Sequence, residues 1–108
     1  MAMVNRFDVF LVNLDSTPTD AAKNTRPGVV VSPDEMNRNV DHVLIAPLAT
    51  TNVKYPTRVA VEFLNSERSV ILDQLRTVDK ARLVKKIGEI GEASQGPILD
   101  KLTELFAR

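Results

Sequence analysis

Residues 23 to 33 read Lys-Asn-Thr-Arg-Pro-Gly-Val-Val-Val-Ser-Pro, a polar segment that passes through one arginine into an apolar run. Proline fixes its own φ angle and favours an extended conformation in the residue before it. The sequence therefore predicts that Arg26 is held at the entrance of a strand formed by residues 29 to 32. A guanidinium aimed from so rigid a backbone suits an anion, and our hypothesis is that the chain acts on a phosphate-bearing polymer.

Length and composition predict one globular domain over residues 1 to 108. The 108 residues are 44% hydrophobic and 26% charged, and 14 basic residues balance 14 acidic ones. Net charge therefore gives no evidence for nucleic-acid binding, and any basic surface has to be a local patch. The absence of cysteine excludes thiolate chemistry and disulfides. Neither a signal peptide nor an apolar run of membrane length is found, so a cytoplasmic protein is expected.

Strand patterns dominate the rest of the chain up to residue 78. Residues 57 to 63 alternate, with Val59, Val61 and Phe63 on one face, which is typical of a half-buried antiparallel strand. A helical turn from Pro33 with Ser32 as a possible N-cap is expected. The other predicted strands are 6 to 14, 42 to 47, 69 to 72 and 75 to 78, with a turn at 65 to 68 and polar loops at 15 to 25 and 50 to 56. The first loop suits either a binding loop or a plain hairpin connection.

Helical patterns appear only near the C-terminus. Residues 80 to 87, capped by Thr77 or Asp79 and ended by Gly88, carry an apolar face. A second helix is predicted from Pro97, a favoured first helical residue, to residue 106. Its apolar face would pack on the sheet through Ile98, Leu102, Leu105 and Phe106. The fold class expected is α+β, a small antiparallel barrel with a C-terminal amphipathic helix.

Elimination leaves a set of polar side chains at strand ends as the candidate site. The one histidine, His42, excludes a paired-histidine ribonuclease and is interpreted as structural. No metal-ligand spacing, phosphate loop or nucleophile elbow is present. Arginine grips phosphate with parallel hydrogen bonds, but Asp73 and Arg76 could equally form a structural pair or satisfy backbone groups. The candidates are Lys23, Asn24, Thr25, Arg26, Thr50, Thr51, Asn52, Asp73, Gln74 and Arg76.

Four segments resemble the MazF/PemK (Kid) family of toxin–antitoxin endoribonucleases. They are Arg6-Phe-Asp-Val-Phe-Leu-Val-Asn-Leu-Asp, Thr25-Arg-Pro-Gly-Val-Val-Val-Ser-Pro, Ile45-Ala-Pro-Leu-Ala-Thr-Thr with the following Tyr55-Pro-Thr-Arg-Val, and Ser69-Val-Ile-Leu-Asp-Gln-Leu-Arg-Thr-Val-Asp. Together they span nearly the whole chain. Phe7 stands where the family usually has glycine.

The resemblance implies an SH3-like barrel of the CcdB/PemK type that forms a homodimer, with RNA along the dimer interface. It implies cleavage of single-stranded RNA at a short motif without metal or other cofactor. The 2′-hydroxyl would attack the adjacent phosphate and leave a 2′,3′-cyclic phosphate and a 5′-hydroxyl. It also implies a MazE-like antitoxin whose disordered acidic tail covers the site.

The same resemblance assigns roles to the candidate residues. Arg26 matches the family's catalytic arginine, and because a guanidinium group stays protonated near neutral pH, electrostatic stabilisation of the phosphate is favoured over proton transfer. Thr50 or Thr51 matches a catalytic hydroxyl, with Thr50 preferred. Asp73 matches an aspartate used either in acid–base work or in ordering the site. The expected RNA-binding residues are Lys23, Asn24, Thr25, Asn52, Lys54, Gln74 and Arg76, with Arg58 a further basic neighbour.

Two departures and two rival functions accompany this interpretation. Some family members carry an arginine where Ile71 stands, and others carry a histidine in the first loop, so roles given to those groups do not transfer. One rival is a non-catalytic gyrase-binding toxin of the CcdB type. The other is a degenerate member that binds antitoxin or RNA without cleavage.

Overall fold

The computed structural model describes residues 3–15, 24–50 and 55–107. Within them the strands are β1 Asp8–Asn13, β2 Thr25–Val30, β3 His42–Ala49, β4 Arg58–Phe63, β5 Ser66–Ile71, β6 Arg76–Asp79 and β7 Leu83–Glu89. The helices are α1 Asp34–Asn39 and α2 Glu92–Phe106, and 3-10 turns at Leu72–Gln74 and Lys80–Arg82 precede β6 and β7. Neither of these two helices is long and apolar enough to cross a membrane.

All described strand pairings are antiparallel, and β3 is the centre of the sheet. The strand order is β4-β5-β3-β2-β1-β7, with β6 paired to β3 beside this path. The sheet curls so far that its two end strands approach each other. A Cβ atom built on Gly88 of β7 would lie only 2.8 Å from the ring of Phe63 in β4. The predicted α+β class, a small curled antiparallel barrel with a C-terminal helix, is confirmed.

Strands β1, β2 and β3 are buried on both faces, which explains their nearly continuous apolar sequences. Val9 and Val29 pack in a large core on one face, together with Phe63 and the helix residue Ile98. The next residues along these strands, Phe10 and Val30, pack in a second cluster on the opposite face. The second cluster matters for function because Val12 and Ile45 belong to it and also line the candidate site.

The hairpin β4–β5 follows the predicted alternation, with Val59, Val61 and Phe63 buried. The turn predicted at residues 65 to 68 is misplaced, since Leu64 and Asn65 form it with φ angles of 51° and 61°. Two residues in this conformation make a type I′ turn, whose twist matches that of the flanking strands. β5 therefore begins at Ser66. The predicted break between the next two strands is confirmed as the Leu72–Gln74 turn.

The helix predicted for residues 80 to 87 is wrong, because this segment forms a 3-10 turn and strand β7. β7 pairs with the edge of β1 that β2 leaves open, and so satisfies backbone groups that a helix would leave unpaired. The Nζ atom of Lys86 lies 3.1 Å from the carboxylate of Asp8, which is 1% exposed, and 3.1 Å from Glu89. Hydrogen bonds to Glu89 and Asp8 raise the pKa of Lys86.

Helix α2 begins at Glu92 rather than at Pro97, with Gly91 as its N-cap. Pro97 therefore lies inside the helix, and the side chain of Gln95 donates to the carbonyl of Ile90 at the helix start. Ile98 is fully buried, and Leu102 packs against the same core. The prediction that the last turn also packs on the sheet is wrong for Phe106, which is 74% exposed, while Leu105 is 36% exposed.

Helix α1 starts at Asp34, one residue later than the predicted start at Pro33. Pro33 takes the N-cap position and makes no side-chain cap, so the assignment of Ser32 is wrong. The Ser32 hydroxyl instead donates to the side-chain oxygen of buried Asn37 over 2.5 Å. Asn37 returns a hydrogen bond to the Ser32 carbonyl, so this buried polar pair is satisfied.

Phe7 adopts a φ angle of 74° in the turn before β1. Glycine adopts this left-handed region without strain, whereas a bulky residue is strained there. This difference explains why glycine is usual at this position in the family that the sequence resembles. Here the ring of Phe7 is only 7% exposed and belongs to the large core. Burial of the ring thus offsets the backbone strain.

Candidate functional site

An open cavity of about 730 Å³ lies where β2, the end of β3 and the start of β6 meet. Buried side chains of Val12, Ile45 and Leu48 give it an apolar base. Four exposed polar residues from separate segments line it above that base: Arg26, Thr50, Gln74 and Arg76. Residues 26, 50, 74 and 76 were all predicted as site residues, and the structure brings them together.

Arg26 is the second residue of β2, so it lies at the start of a strand as predicted, although the bounds predicted for this strand are wrong. The strand begins four residues earlier than expected because Thr25 and Arg26 pair with Asn13 and Val12 of β1. The extended conformation expected before Pro27 is nevertheless present. Pro27 lacks an N–H group, and it is tolerated here because pairing between β2 and β3 starts only at Gly28.

The Arg26 guanidinium is exposed and anchored by a local contact. Its Nη1 atom donates to the carbonyl of Thr25 over 3.1 Å. Only one of the five N–H donors of the guanidinium is used in this bond, so the group can still present a forked pair to an anion. Gly28 follows two residues later, and its lack of a side chain lets the β2 backbone pack closely against the base of the cavity. A Cβ atom at this position would lie 3.2 Å from Ile45 and 3.3 Å from Val12.

The other three polar residues approach the cavity from the neighbouring elements. Thr50 directly follows β3, Gln74 ends the 3-10 turn and Arg76 opens β6 opposite Ile45 of β3. Two guanidinium groups, a hydroxyl and an amide therefore surround a partly apolar hollow. Such a combination binds an anion through its cations and leaves room for a flat apolar group such as a base.

Asp73 precedes Gln74 but is not among the residues that line the cavity. Its carboxylate accepts a hydrogen bond of 2.8 Å from the Thr57 hydroxyl. It also lies 3.8 Å from the Nε atom of Arg58, which is an ionic contact too long for a hydrogen bond. The alternative in which Asp73 pairs with Arg76 is therefore wrong, because its described partners are Thr57 and Arg58.

Some predicted residues stand apart from the cavity or outside the described part of the chain. Asn24 and Thr25 lie just before Arg26 in the chain, and Thr25 opens β2. The Asn24 carbonyl accepts a hydrogen bond from the Leu14 N–H, and the Asn24 N–H donates to the Asp15 carboxylate. His42 opens β3 opposite Asp79, away from the cavity lining, as its structural interpretation requires. The predicted residues Lys23, Thr51, Asn52 and Lys54 lie outside the described residues.

Arg82 is a site neighbour that the sequence did not reveal. Its Nη1 atom donates to the carbonyls of Asn13 and Asp15 at 3.1 and 2.5 Å. These carbonyls lie at the end of β1 and just beyond it, beside the start of β2, which carries Arg26. The contact joins residues that lie 69 and 67 positions apart, so no local pattern could have indicated it. In residues 3–15, 24–50 and 55–107 no cluster of three His, Asp or Glu side chains could hold a metal ion.

Comparison with known proteins identifies the family. A model of the PemK-like, MazF-like toxins of type II toxin–antitoxin systems matches residues 5–106. The chain belongs to this family. The chain is 30% identical over 97 residues to an endoribonuclease MazF of Staphylococcus epidermidis, a match that covers 84% of this chain and 81% of the relative.

Solved structures of MazF-like toxins share the fold. A mycobacterial endoribonuclease in complex with its cognate antitoxin superposes with a TM-score of 0.78 and 26% identity, covering 94% of this chain and 92% of that one. MazF in a MazE–MazF complex from Deinococcus radiodurans gives a TM-score of 0.79 over 99% and 98% of the two chains, at 19% identity. The expected resemblance to MazF/PemK toxins is thus confirmed, and the gyrase-binding alternative is not favoured.

Proposed function

We propose that this MazF-like chain is a toxin endoribonuclease that cleaves single-stranded RNA at a short sequence motif in the Arg26 cavity. The observation that carries the proposal is the convergence of Arg26, Thr50, Gln74 and Arg76 on one open cavity. Membership of a toxin family whose relatives are endoribonucleases supplies the reaction class. The cations would hold the phosphate, and the apolar base would accept the sugar or a base.

The proposed reaction is an internal transfer at one phosphate. The 2′-oxygen forms a bond to phosphorus, the bond from phosphorus to the 5′-oxygen breaks, and the 2′-hydroxyl proton is lost as the 5′-oxygen gains one. The products are a 2′,3′-cyclic phosphate and a 5′-hydroxyl, and no metal takes part. Negative charge builds on the non-bridging oxygens, where a preorganised guanidinium stabilises the transition state most.

Arg26 is assigned to that charge. Its position within a strand paired on β1 fixes the backbone, and the contact to the Thr25 carbonyl restricts the guanidinium. Because an arginine stays protonated near neutral pH, electrostatic stabilisation suits it better than the role of a base. Thr50 would donate its hydroxyl to a phosphoryl oxygen, and Thr51 is the alternative donor that the sequence offers.

Asp73 is assigned to ordering the site, the second of the two roles that the family resemblance allows. Its contacts to Thr57 and Arg58 tie the Leu72–Gln74 turn to the start of β4. Gln74, next in the chain, would thereby be held at the cavity to read a base edge. An acid–base role would require the carboxylate to turn toward the cavity, which it does not line.

The remaining assignments rest on the family. RNA affinity would come from Arg76 and Gln74 in the cavity, Asn24 and Thr25 beside it, and Lys23, Asn52 and Lys54. We further propose a homodimer that acts in the cytoplasm and is inhibited by a MazE-like antitoxin with an acidic tail. Relatives solved together with an antitoxin support this partner.

The test is cleavage of a long single-stranded RNA by the purified chain in EDTA, with the cuts mapped and the ends identified. Cuts at one short motif, with cyclic phosphate and 5′-hydroxyl ends, are expected. A 2′-deoxy substitution at the attacking nucleotide should abolish cleavage at that motif alone. Gyrase inhibition without RNA cleavage would identify the CcdB-like function instead, and RNA binding without cleavage would identify a degenerate member.

A further inference from the structure

Tyr55 presents an aromatic ring to solvent just before β4. The residue is 59% exposed. The guanidinium carbon of Arg58 lies over the ring, 5.9 Å from its centroid, a distance typical of a cation–π contact. The Arg58 backbone N–H also donates to the Tyr55 carbonyl over 3.0 Å. The ring is therefore held in place on one side and open on the other.

This ring is linked to the Arg26 cavity by a short series of contacts. Arg58 faces the Asp73 carboxylate, which also accepts the Thr57 hydrogen bond. Gln74, the residue after Asp73, lines the cavity. Neither Tyr55 nor Arg58 lines the cavity, but the contacts of Arg58 and Thr57 with Asp73 connect this segment to the Leu72–Gln74 turn, whose last residue does.

An exposed aromatic ring beside a cation is the arrangement that proteins use to bind single-stranded nucleic acid. Every nucleobase offers a flat face to an aromatic ring, and the adjacent cation attracts the phosphate backbone. An exposed ring held only for packing would gain nothing from an open face. The catalytic cavity supplies a phosphate site, and a base next to that phosphate would need a surface on which to lie.

We infer that Tyr55 and Arg58 form a stacking subsite for an RNA base that flanks the scissile phosphate. The inference rests on the proposed endoribonuclease function and extends it to a residue with no assigned role. Stacking accepts all four bases, so the subsite would contribute affinity and leave the choice of motif to other residues. Tyr55 is a binding residue in this scheme and takes no part in bond making or breaking.

The composition of the chain offers a direct measurement. The chain has one tyrosine and no tryptophan, so its intrinsic fluorescence reports on Tyr55 alone. An RNA oligonucleotide made non-cleavable by 2′-deoxy substitution at the attacking nucleotide should quench this emission to saturation. The quenching curve should match binding measured by the anisotropy of a labelled copy of the RNA. Binding by anisotropy with unchanged tyrosine emission would overturn the inference, as would emission that responds to protein concentration but not to RNA.

Substitutions separate stacking from a merely structural role. Tyr55→Leu should raise KM for RNA at least about fivefold with kcat nearly unchanged, since stacking is lost but the chemistry is not. Tyr55→Phe keeps the ring and should restore the wild-type KM. Leu64→Ala removes an equally exposed apolar side chain at the opposite end of β4 and should change neither constant. A wild-type KM in Tyr55→Leu would sink the inference.

An abasic site scanned along the RNA completes the test. At one position next to the cleavage site, loss of the base should weaken binding to the wild type by about the same factor as Tyr55→Leu. The Tyr55→Leu variant should be insensitive to loss of that same base, because the two changes remove one contact. Equal sensitivity of both proteins to base loss at every position would contradict the stacking subsite. Cleavage of RNA by the wild type would in that case still support the proposed endoribonuclease function.

Discussion

Arg76 provides a quantitative test of how the cavity holds RNA. It is exposed, it opens β6 opposite Ile45, and it lines the Arg26 cavity. Arg76→Gln keeps a polar side chain that can form hydrogen bonds, although a shorter one, and removes its charge. If Arg76 contacts a phosphate, the variant loses a charge-assisted hydrogen bond worth about 1.5 kcal/mol at an exposed position, which is about tenfold in affinity.

The dependence on salt identifies the lost contact as a phosphate contact. On single strands each neutralised phosphate contributes about 0.7 to the slope of log affinity against log salt. A rise from about 50 to 200 mM NaCl should therefore weaken binding by about 2.6-fold for each contact. Arg76→Gln should reduce the magnitude of this slope by about 0.7, the contribution of one phosphate contact. The variant should leave kcat for bound RNA nearly unchanged.

The assay is the Kd of a 2′-deoxy-substituted RNA at three salt concentrations, paired with kcat for the cleavable RNA. Arg38→Gln is the matched control, because Arg38 is an exposed arginine on α1 that does not line the cavity. The control should keep the wild-type slope. An Arg76→Gln variant with the same slope and affinity as the control would refute the role of Arg76 in binding RNA.

Three further predictions concern the elements that hold the site. Ile98→Ala should lower the free energy of unfolding in urea by about 2–5 kcal/mol, because Ile98 is fully buried between α2 and the sheet. Gly88→Ala should cost about 1–3 kcal/mol, since the new Cβ would lie 2.8 Å from the Phe63 ring. Lys86→Met removes the ion-pair partner of the buried Asp8 carboxylate, which keeps its hydrogen bond from the Asn5 N–H, and should destabilise the fold near neutral pH. Because the folded pKa of Lys86 is raised above 10.5, its contribution is complete below that pH, and the difference from the wild type should shrink at higher pH.

The sequence predicted those elements whose burial pattern is visible locally. Strand β4 shows it most clearly, since Val59, Val61 and Phe63 alternate with exposed residues. The candidate site was also predictable, because Arg26 and Thr50 each lie where a polar segment meets an apolar strand, so that a rigid sheet can present them. Their convergence in one cavity follows from the pairing of β2 with β3.

The errors arose where distant contacts decide the local structure. The apolar spacing in residues 83 to 87 fits a helix, but pairing with β1 at the other end of the chain makes this segment strand β7. Pro97 favours a helix start, yet the helix begins at Glu92. The carboxylate of Asp73 contacts Thr57 and Arg58, which lie just before β4 and at its first residue. The partners of β7 and of Asp73 are distant in sequence, so no local pattern indicates them.

Arg26→Ala is the most direct test of the central claim, that the Arg26 cavity cleaves RNA. Wild type, Arg26→Ala and Arg26→Lys are compared on one single-stranded RNA in EDTA, with cuts mapped and urea unfolding measured for each protein. Arg26→Ala should unfold like the wild type, because the guanidinium is exposed and makes only the local contact to Thr25. Its cleavage at the motif should fall by at least about a hundredfold, with partial activity in Arg26→Lys, which keeps the charge but not the fork. A folded Arg26→Ala variant that cuts the same motif at the wild-type rate would contradict the account.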